Sequence, residues 1–416
     1  MDNRVLVRGI GELLTIPAEI GEVGEGVSGD DALGVIRNAA MILDDGRVAW
    51  VGPQSEAPEA SYVEIVDVNG LVVMPGLVEC HTHLVFAGNR AHEFSLRTQG
   101  ATYEEIAASG GGIVSTVEAT RLATNEELMV SALARLDDFL RHGVTTLEAK
   151  SGYGLSWEHE RKILEVMSDL NQQHPTTVVS TFLGAHTVPL EFRPDTERYL
   201  DVVCEEMLPQ VAEAKLATFC DVFVETGAFS LEQGRRVLET ARDLGLLLKI
   251  HSEQLTHTGA TALGAELEAV SADHLDFCTP EDARLLAEAG TVPVLLPGAT
   301  FFVGHTRFAR AQMFQEAGAP VALSTDYNPG SSHTRNLWLM GTMGCVYMGL
   351  SPAEALRGMT TNAARALGMH EEVGSLLPGY AADFIVTGVG NGEELLYLYG
   401  HNPAKEVYKS GRKVAH

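Results

Sequence analysis

Val73-Met74-Pro75-Gly76-Leu77-Val78-Glu79-Cys80-His81-Thr82-His83 is an apolar, strand-forming run, punctuated by Pro75-Gly76, that stops at two histidines one residue apart. Alternation along a strand puts residues i and i+2 on one face, so His81 and His83 point the same way. Two imidazoles at that spacing can hold one divalent ion. A lone pair of this kind is equally an ordinary buried polar pair, so the rest of the chain has to decide.

Downstream the same apolar strand pattern returns at 144–149, 177–183, 220–224, 246–250, 269–272, 292–296 and 321–324, which with 77–80 makes eight. Helical patterns lie between them, as at 156–171, 231–244, 280–289 and 309–317. Continuous apolar strands alternating with helices form a parallel sheet covered on its faces. Eightfold repetition over roughly 290 residues predicts an α/β fold, a TIM-type (β/α)8 barrel. A doubly wound open sheet is the alternative. Upstream, Ala40-Met41-Ile42-Leu43 and Val48-Ala49-Trp50-Val51 flank Asp44-Asp45-Gly46-Arg47, a hairpin signature. Phe384-Ile385-Val386, Glu406-Val407-Tyr408 and the turn Ser410-Gly411-Arg412 repeat that style at the far end. The expectation is a small β-sandwich domain formed from both chain ends, residues 1–72 and 369–416, around a catalytic barrel at 73–368.

Composition narrows the function classes. The 416 residues carry 29 Lys+Arg against 56 Asp+Glu, a net charge of −27. Phosphate binding needs a basic face, so nucleic acid is excluded as a partner. Five cysteines without CxxC spacing suit free thiols in a reducing cytoplasm. The first residues lack a signal-peptide pattern, and no apolar run reaches the roughly 18 residues of a membrane span.

In a barrel, catalytic groups sit at the C-terminal strand ends. Those ends read His81-Thr82-His83, Glu148-Ala149-Lys150, His186, Glu225, His251-Ser252-Glu253-Gln254, Asp273-His274, Pro297-Gly298 and Asp326-Tyr327-Asn328. The paired histidines, His251, His274 and Asp326 on separate strands together point to a metal site. Lys249 shares a face with His251, and an ion pair with Glu225 or Glu148 is its expected role. Asp273 either orients His274 or caps the strand.

The opening motif at 73–83 resembles that of the amidohydrolase superfamily, and the resemblance covers essentially the whole chain. Within it, the stretches at 81–90, 99–106, 150–154, 184–187 and 326–331 are similar to the hydrolases that open an imidazolone ring. That resemblance implies one zinc or iron ion per subunit, ligated by His81, His83, His251 and Asp326. Binuclear relatives use a modified lysine at the end of strand four, where this chain has Glu225. The implied reaction is hydrolysis of the cyclic amide of 4-imidazolone-5-propanoate to N-formimidoyl-L-glutamate. Asp326 would also accept the water proton, His274 would polarise the carbonyl, and Glu253 or Gln254 would relay protons or touch the ring. Arg90 would clamp the carboxylate tail, because guanidinium binds carboxylate bidentately. Tyr103, Tyr153 and His186 would line the substrate. Asn328, Gly330 and Ser331 would bind it or simply form a turn. A cytoplasmic homodimer acting on a small molecule is expected. The alternatives are an aminohydrolase, for which His251-Ser252-Glu253 is compatible, and a catalytically inactive scaffold of the same fold.

Overall fold

The computed structural model describes residues 4–18, 29–59, 61–101 and 111–416. Among them, eight parallel strands follow one another in chain order around a single sheet. These are β1 (Leu77–Glu79), β2 (Val144–Lys150), β3 (Thr177–Ala185), β4 (Phe219–Val222), β5 (Leu247–Ser252), β6 (Ser271–His274), β7 (Val292–Leu295) and β8 (Ala322–Leu323). The two edges meet just beyond β1 and β8, where Thr82 bridges Tyr327 and the His83 N–H donates to the Tyr327 carbonyl at 2.8 Å. An open doubly wound sheet reverses its strand order at a switch point. This one does not, and the sheet is a nearly closed barrel.

Local chemistry sets the helices between the strands. The helix Pro280–Ala289 opens on a capping box of Thr279 with Asp282 and closes at Gly290, whose φ of 73° suits glycine. The helix Leu231–Asp243 opens on the same device, Ser230 with Gln233. Each packs its apolar stripe, such as Val237, Leu238 and Ala241, against the barrel.

The two chain ends form one mixed sheet of eight strands. Its order is Arg412–Ala415, Ala404–Lys409, Phe384–Thr387, Val72–Pro75, Val5–Leu14, Val35–Asp44, Arg47–Pro53, with Glu64–Asp67 pairing in parallel with Val5–Leu14. The expected hairpin is present: Asp44 pairs with Arg47 around Asp45-Gly46, whose φ angles of 47° and 75° are those of a type I′ turn. Val7, Leu13 and Met41 share a core with Phe384, Val386 and Tyr408, so neither end buries its apolar face alone. Val72–Pro75 runs from this sheet directly into β1 through Gly76. A side chain there would meet Thr145 Oγ1 at 2.3 Å, so only glycine lets the barrel approach that closely. No helix among the described residues is long and apolar enough to cross a membrane.

Candidate active site

Five side chains from four parts of the barrel converge at its C-terminal end. His81 and His83 follow β1, His251 lies on β5, His274 ends β6, and Asp326 follows β8. The His81 ring centroid is 5.6 Å from His83, 4.6 Å from His251 and 5.6 Å from His274. Asp326 Oδ1 lies 3.5 Å from both His81 Nε2 and His83 Nε2. Candidate ligand atoms of His81, His83 and Asp326 fall within 4.8 Å of one another, and so do those of His81, His251 and His274. All five residues are buried. His81 Nε2, His251 Nε2 and His274 Nδ1 have no hydrogen-bond partner among the described residues. Buried ring nitrogens are rarely left bare, and a cluster of them beside a carboxylate is the donor set of a metal ion. Asp326 and His274 hold left-handed backbone, with φ of 51° and 84°. Such strain concentrates where a side chain must be aimed.

Behind the rings lies a layer of charge. His81 Nδ1 donates to Asp273 Oδ2 at 2.6 Å, and His251 Nδ1 faces Asp221 Oδ2 at 2.9 Å. At His81 the hydrogen-bonded carboxylate keeps a proton on Nδ1 and turns Nε2 toward the cluster, whereas His251 Nδ1 meets its carboxylate as a charge contact alone. Lys150 contacts Asp221 at 2.8 Å and Glu148 at 3.0 Å, and Lys249 reaches Glu148 at 3.2 Å. Burial alone would discharge Lys150, but Asp221, Glu148 and Asp273 outweigh it and keep the ammonium protonated. Burial pushes His83 down to about 4. At His81, burial and Lys150 push the same way, yet Asp273 and Asp326 prevail and raise it to about 9, so a bound ion would have to displace a second ring proton from Nε2. Asp326 stays well below the usual carboxylate range despite its burial, because His81 and His83 face it.

The expected substrate contacts divide into two groups. Tyr153, His186 and Arg90 gather at the cluster. The Tyr153 ring is 5.7 Å from His83 and 5.4 Å from His186, and His186 stacks on His83 at 5.0 Å. The Gly152 carbonyl accepts from His186 Nδ1 at 3.1 Å. Arg90 donates from Nε to Thr116 Oγ1 at 3.0 Å and makes no ion pair among the described residues. Its guanidinium lies so close to the backbone at Gly330 that a side chain there would meet Nη1 at 2.2 Å. Burial raises the Tyr153 phenol, and Arg90 partly offsets the effect.

The second group is occupied elsewhere or lies outside. Asn328 accepts from the Gly330 and Ser331 N–H groups, both at 2.8 Å, and donates to the Asp326 carbonyl at 2.7 Å. Its amide therefore braces the turn that carries Asp326, the turn-forming role that competed with substrate contact. Ser331 Oγ remains 3.4 Å from Asp326 Oδ2. Glu253, expected as a proton relay, accepts from the N–H groups of Thr258, Gly259 and Thr261 at 3.1, 2.7 and 3.1 Å. Thr261 Oγ1 at 2.9 Å and Thr258 Oγ1 at 3.4 Å bring the bonds to five, so both carboxylate oxygens are taken. Gln254 is half-buried beside it with no hydrogen bond among the described residues. Tyr103 lies outside the described residues.

Three functional groups escaped the sequence reading. Asp273 serves His81 rather than His274, Asp221 was not singled out, and Lys150 was noted only as a strand end. An aspartate inside the apolar run Phe219–Val222 was the available signal. Lys249 does pair with Glu148. Glu225 instead accepts from the Thr226 and Leu255 N–H groups at 2.8 Å each.

Comparison with known proteins agrees with this geometry. Residues 72–414 match the amidohydrolase family. The imidazolonepropionase of Shewanella baltica (strain OS195) is 48% identical over 383 residues, covering 92% of this chain and 94% of that protein. The imidazolonepropionase of Geobacillus kaustophilus is 47% identical over 387 residues, 92% of this chain and 91% of that one. Among solved structures, a zinc-bound adenosine deaminase from Xanthomonas campestris superposes with a TM-score of 0.73 at 18% identity, over 98% of this chain and 92% of that one. A triazine hydrolase variant also gives 0.73, at 17% identity, over 100% and 95%. At such identities these two establish a shared fold alone.

Proposed function

The chain belongs to the amidohydrolase family and is a hydrolase of carbon–nitrogen bonds, and from that premise we propose that it catalyses the imidazolonepropionase reaction. Water opens the cyclic amide of 4-imidazolone-5-propanoate to give N-formimidoyl-L-glutamate. One observation carries the substrate choice: Arg90, a guanidinium without a carboxylate partner among the described residues, lies against Gly330 in the turn that follows Asp326. A substrate with a propionate tail supplies the missing anion.

His81, His83, His251 and Asp326 would hold one zinc or iron ion. When bound, such an ion supplies a Lewis acid and a water of lowered pKa. The protein's own groups do the rest. Arg90 holds the tail, while Tyr153 and His186 wall the ring against His83. His274, with Nδ1 unpartnered, is available to hydrogen-bond the carbonyl oxygen. Asp326 takes the proton of the attacking water and returns it to the departing ring nitrogen, with Ser331 Oγ beside its second oxygen. Glu253, whose oxygens accept five hydrogen bonds, is left out of this proton path, which also weakens the aminohydrolase alternative. A homodimer in the cytoplasm is part of the same proposal. The five cysteines form no disulfide, in keeping with a reducing compartment.

The test is turnover of freshly made imidazolone propionate by metal-replete protein, followed by loss of the ring's ultraviolet absorbance with ammonia scored in parallel. Loss without ammonia is expected, and His81→Ala should reduce it by roughly 1000-fold or more. Ammonia release would favour the aminohydrolase reaction, and no turnover by protein shown to contain metal would sink both.

A further inference from the structure

Lys150 ends β2 with its ammonium wholly buried. It lies 2.8 Å from Asp221 Oδ2 and 3.5 Å from Asp273 Oδ2. Those same two oxygens face His251 Nδ1 at 2.9 Å and His81 Nδ1 at 2.6 Å. The third partner, Glu148 at 3.0 Å, is braced in turn by Lys249 at 3.2 Å. An ammonium carries three N–H donors, and three carboxylates surround this one. The remaining oxygens are tied as well: Asp221 Oδ1 accepts from the His251 N–H at 3.1 Å, and Asp273 Oδ1 from Ser271 Oγ at 2.7 Å.

We propose that Lys150 is the positioning residue of the metal centre. Through Asp221 and Asp273 it fixes the placement of the His251 and His81 rings together, and at His81 the proton on Nδ1, turning both Nε2 atoms toward the ion. A carboxylate free to rotate about its own bond would not hold an imidazole in one plane. One anchored on both oxygens does. Stability of the fold is a poor rival explanation, because well-packed apolar side chains serve a core as well as buried ion pairs do. Two ligand rings whose carboxylates meet at one ammonium cannot reorient independently, so the site is preset for a single geometry before the ion arrives.

The inference rests on the reading of His81, His83, His251 and Asp326 as ligands, and its test keeps the two apart. Zinc affinity is measured without substrate, by competition with a chromogenic chelator on metal-stripped full-length protein. Lys150→Met should weaken zinc binding by about 10- to 100-fold. Leu136→Ala, a core change outside this network, should lower the melting temperature and leave zinc affinity as in the wild type. Lys150→Met leaves buried carboxylates unpaired, so Lys150→Met/Glu148→Gln, which removes one charge of each sign, is measured beside it. Wild-type affinity in either folded variant overturns the proposal. Failure of both variants to fold also overturns it, since Lys150 would then serve the fold and not the ion. A wild-type protein that binds no zinc or iron sinks the ligand reading instead.

Discussion

Glu148, Asp221 and Asp273, inside the barrel strands, are met by ammonium and imidazole groups, whereas Glu160, Glu225 and Glu253, in the segments that follow those strands, are met by backbone N–H groups. Glu160 shows the second pattern well: it accepts from Gly154 at 2.6 Å, Leu155 at 2.8 Å and Gly152 at 3.0 Å, and so shapes the loop that presents Tyr153. Both sets are buried carboxylates, and each is met by charge or by hydrogen-bond donors. The partner decides what the carboxylate can do. Charge paired with imidazole passes orientation on to a candidate ligand. Charge paired with several amides holds a loop in one shape and keeps no lone pair for chemistry.

That contrast can be broken from either side. The largest effect is expected inside the strands: Asp221→Asn should cut zinc affinity by about 10- to 100-fold, read by metal content after dialysis against a chelator. In the loops, Glu160→Gln should lower unfolding free energy by about 1–3 kcal/mol in urea titrations, since it leaves buried N–H groups poorly matched, while zinc affinity holds. An equal loss of zinc affinity in both variants would erase the distinction. The smallest effect concerns Asp276, after β6, which accepts from Thr300 Oγ1 and the Ala309 N–H at 3.0 Å each. Burial pushes it up to about 7. Its folded value lies above the unfolded one, so the native state binds the extra proton between about pH 4 and pH 7. Stability from this group is therefore present at low pH and lost as pH rises through that window. Asp276→Asn should remove the slope, changing stability little at pH 5 and raising it relative to the wild type at pH 8 in thermal melts. A parallel shift at both values would refute the assignment.

The histidines were legible because strand alternation is local and rigid. His81 and His83 follow an apolar strand and need only the two-residue repeat to share a face. The repeat failed where the backbone left the strand. An unbroken repeat would put Glu253 on the face of His251, but Glu253 has φ of 49°, and its carboxylate turns into the start of the helix Ala260–Glu266. It would also set Asp273 and His274 on opposite faces, yet the positive φ at His274 lets both neighbours reach the cluster. The roles of Asp221 and Lys150 were hidden for another reason: they lie 71 residues apart, and nothing local records that their strands bring them together.

Sequence alone determined the barrel, the small domain built from both ends, and the convergence of His81, His83, His251, His274 and Asp326. Those follow from periodicity and from the rule that strand ends share one face of the sheet. Only the tertiary structure decided which carboxylate serves which imidazole, which buried glutamate is free, and that one lysine stands behind two of the rings. Ion pairs across strands depend on how the barrel closes and how each strand is rotated within it, and neither quantity is written in any short stretch of chain.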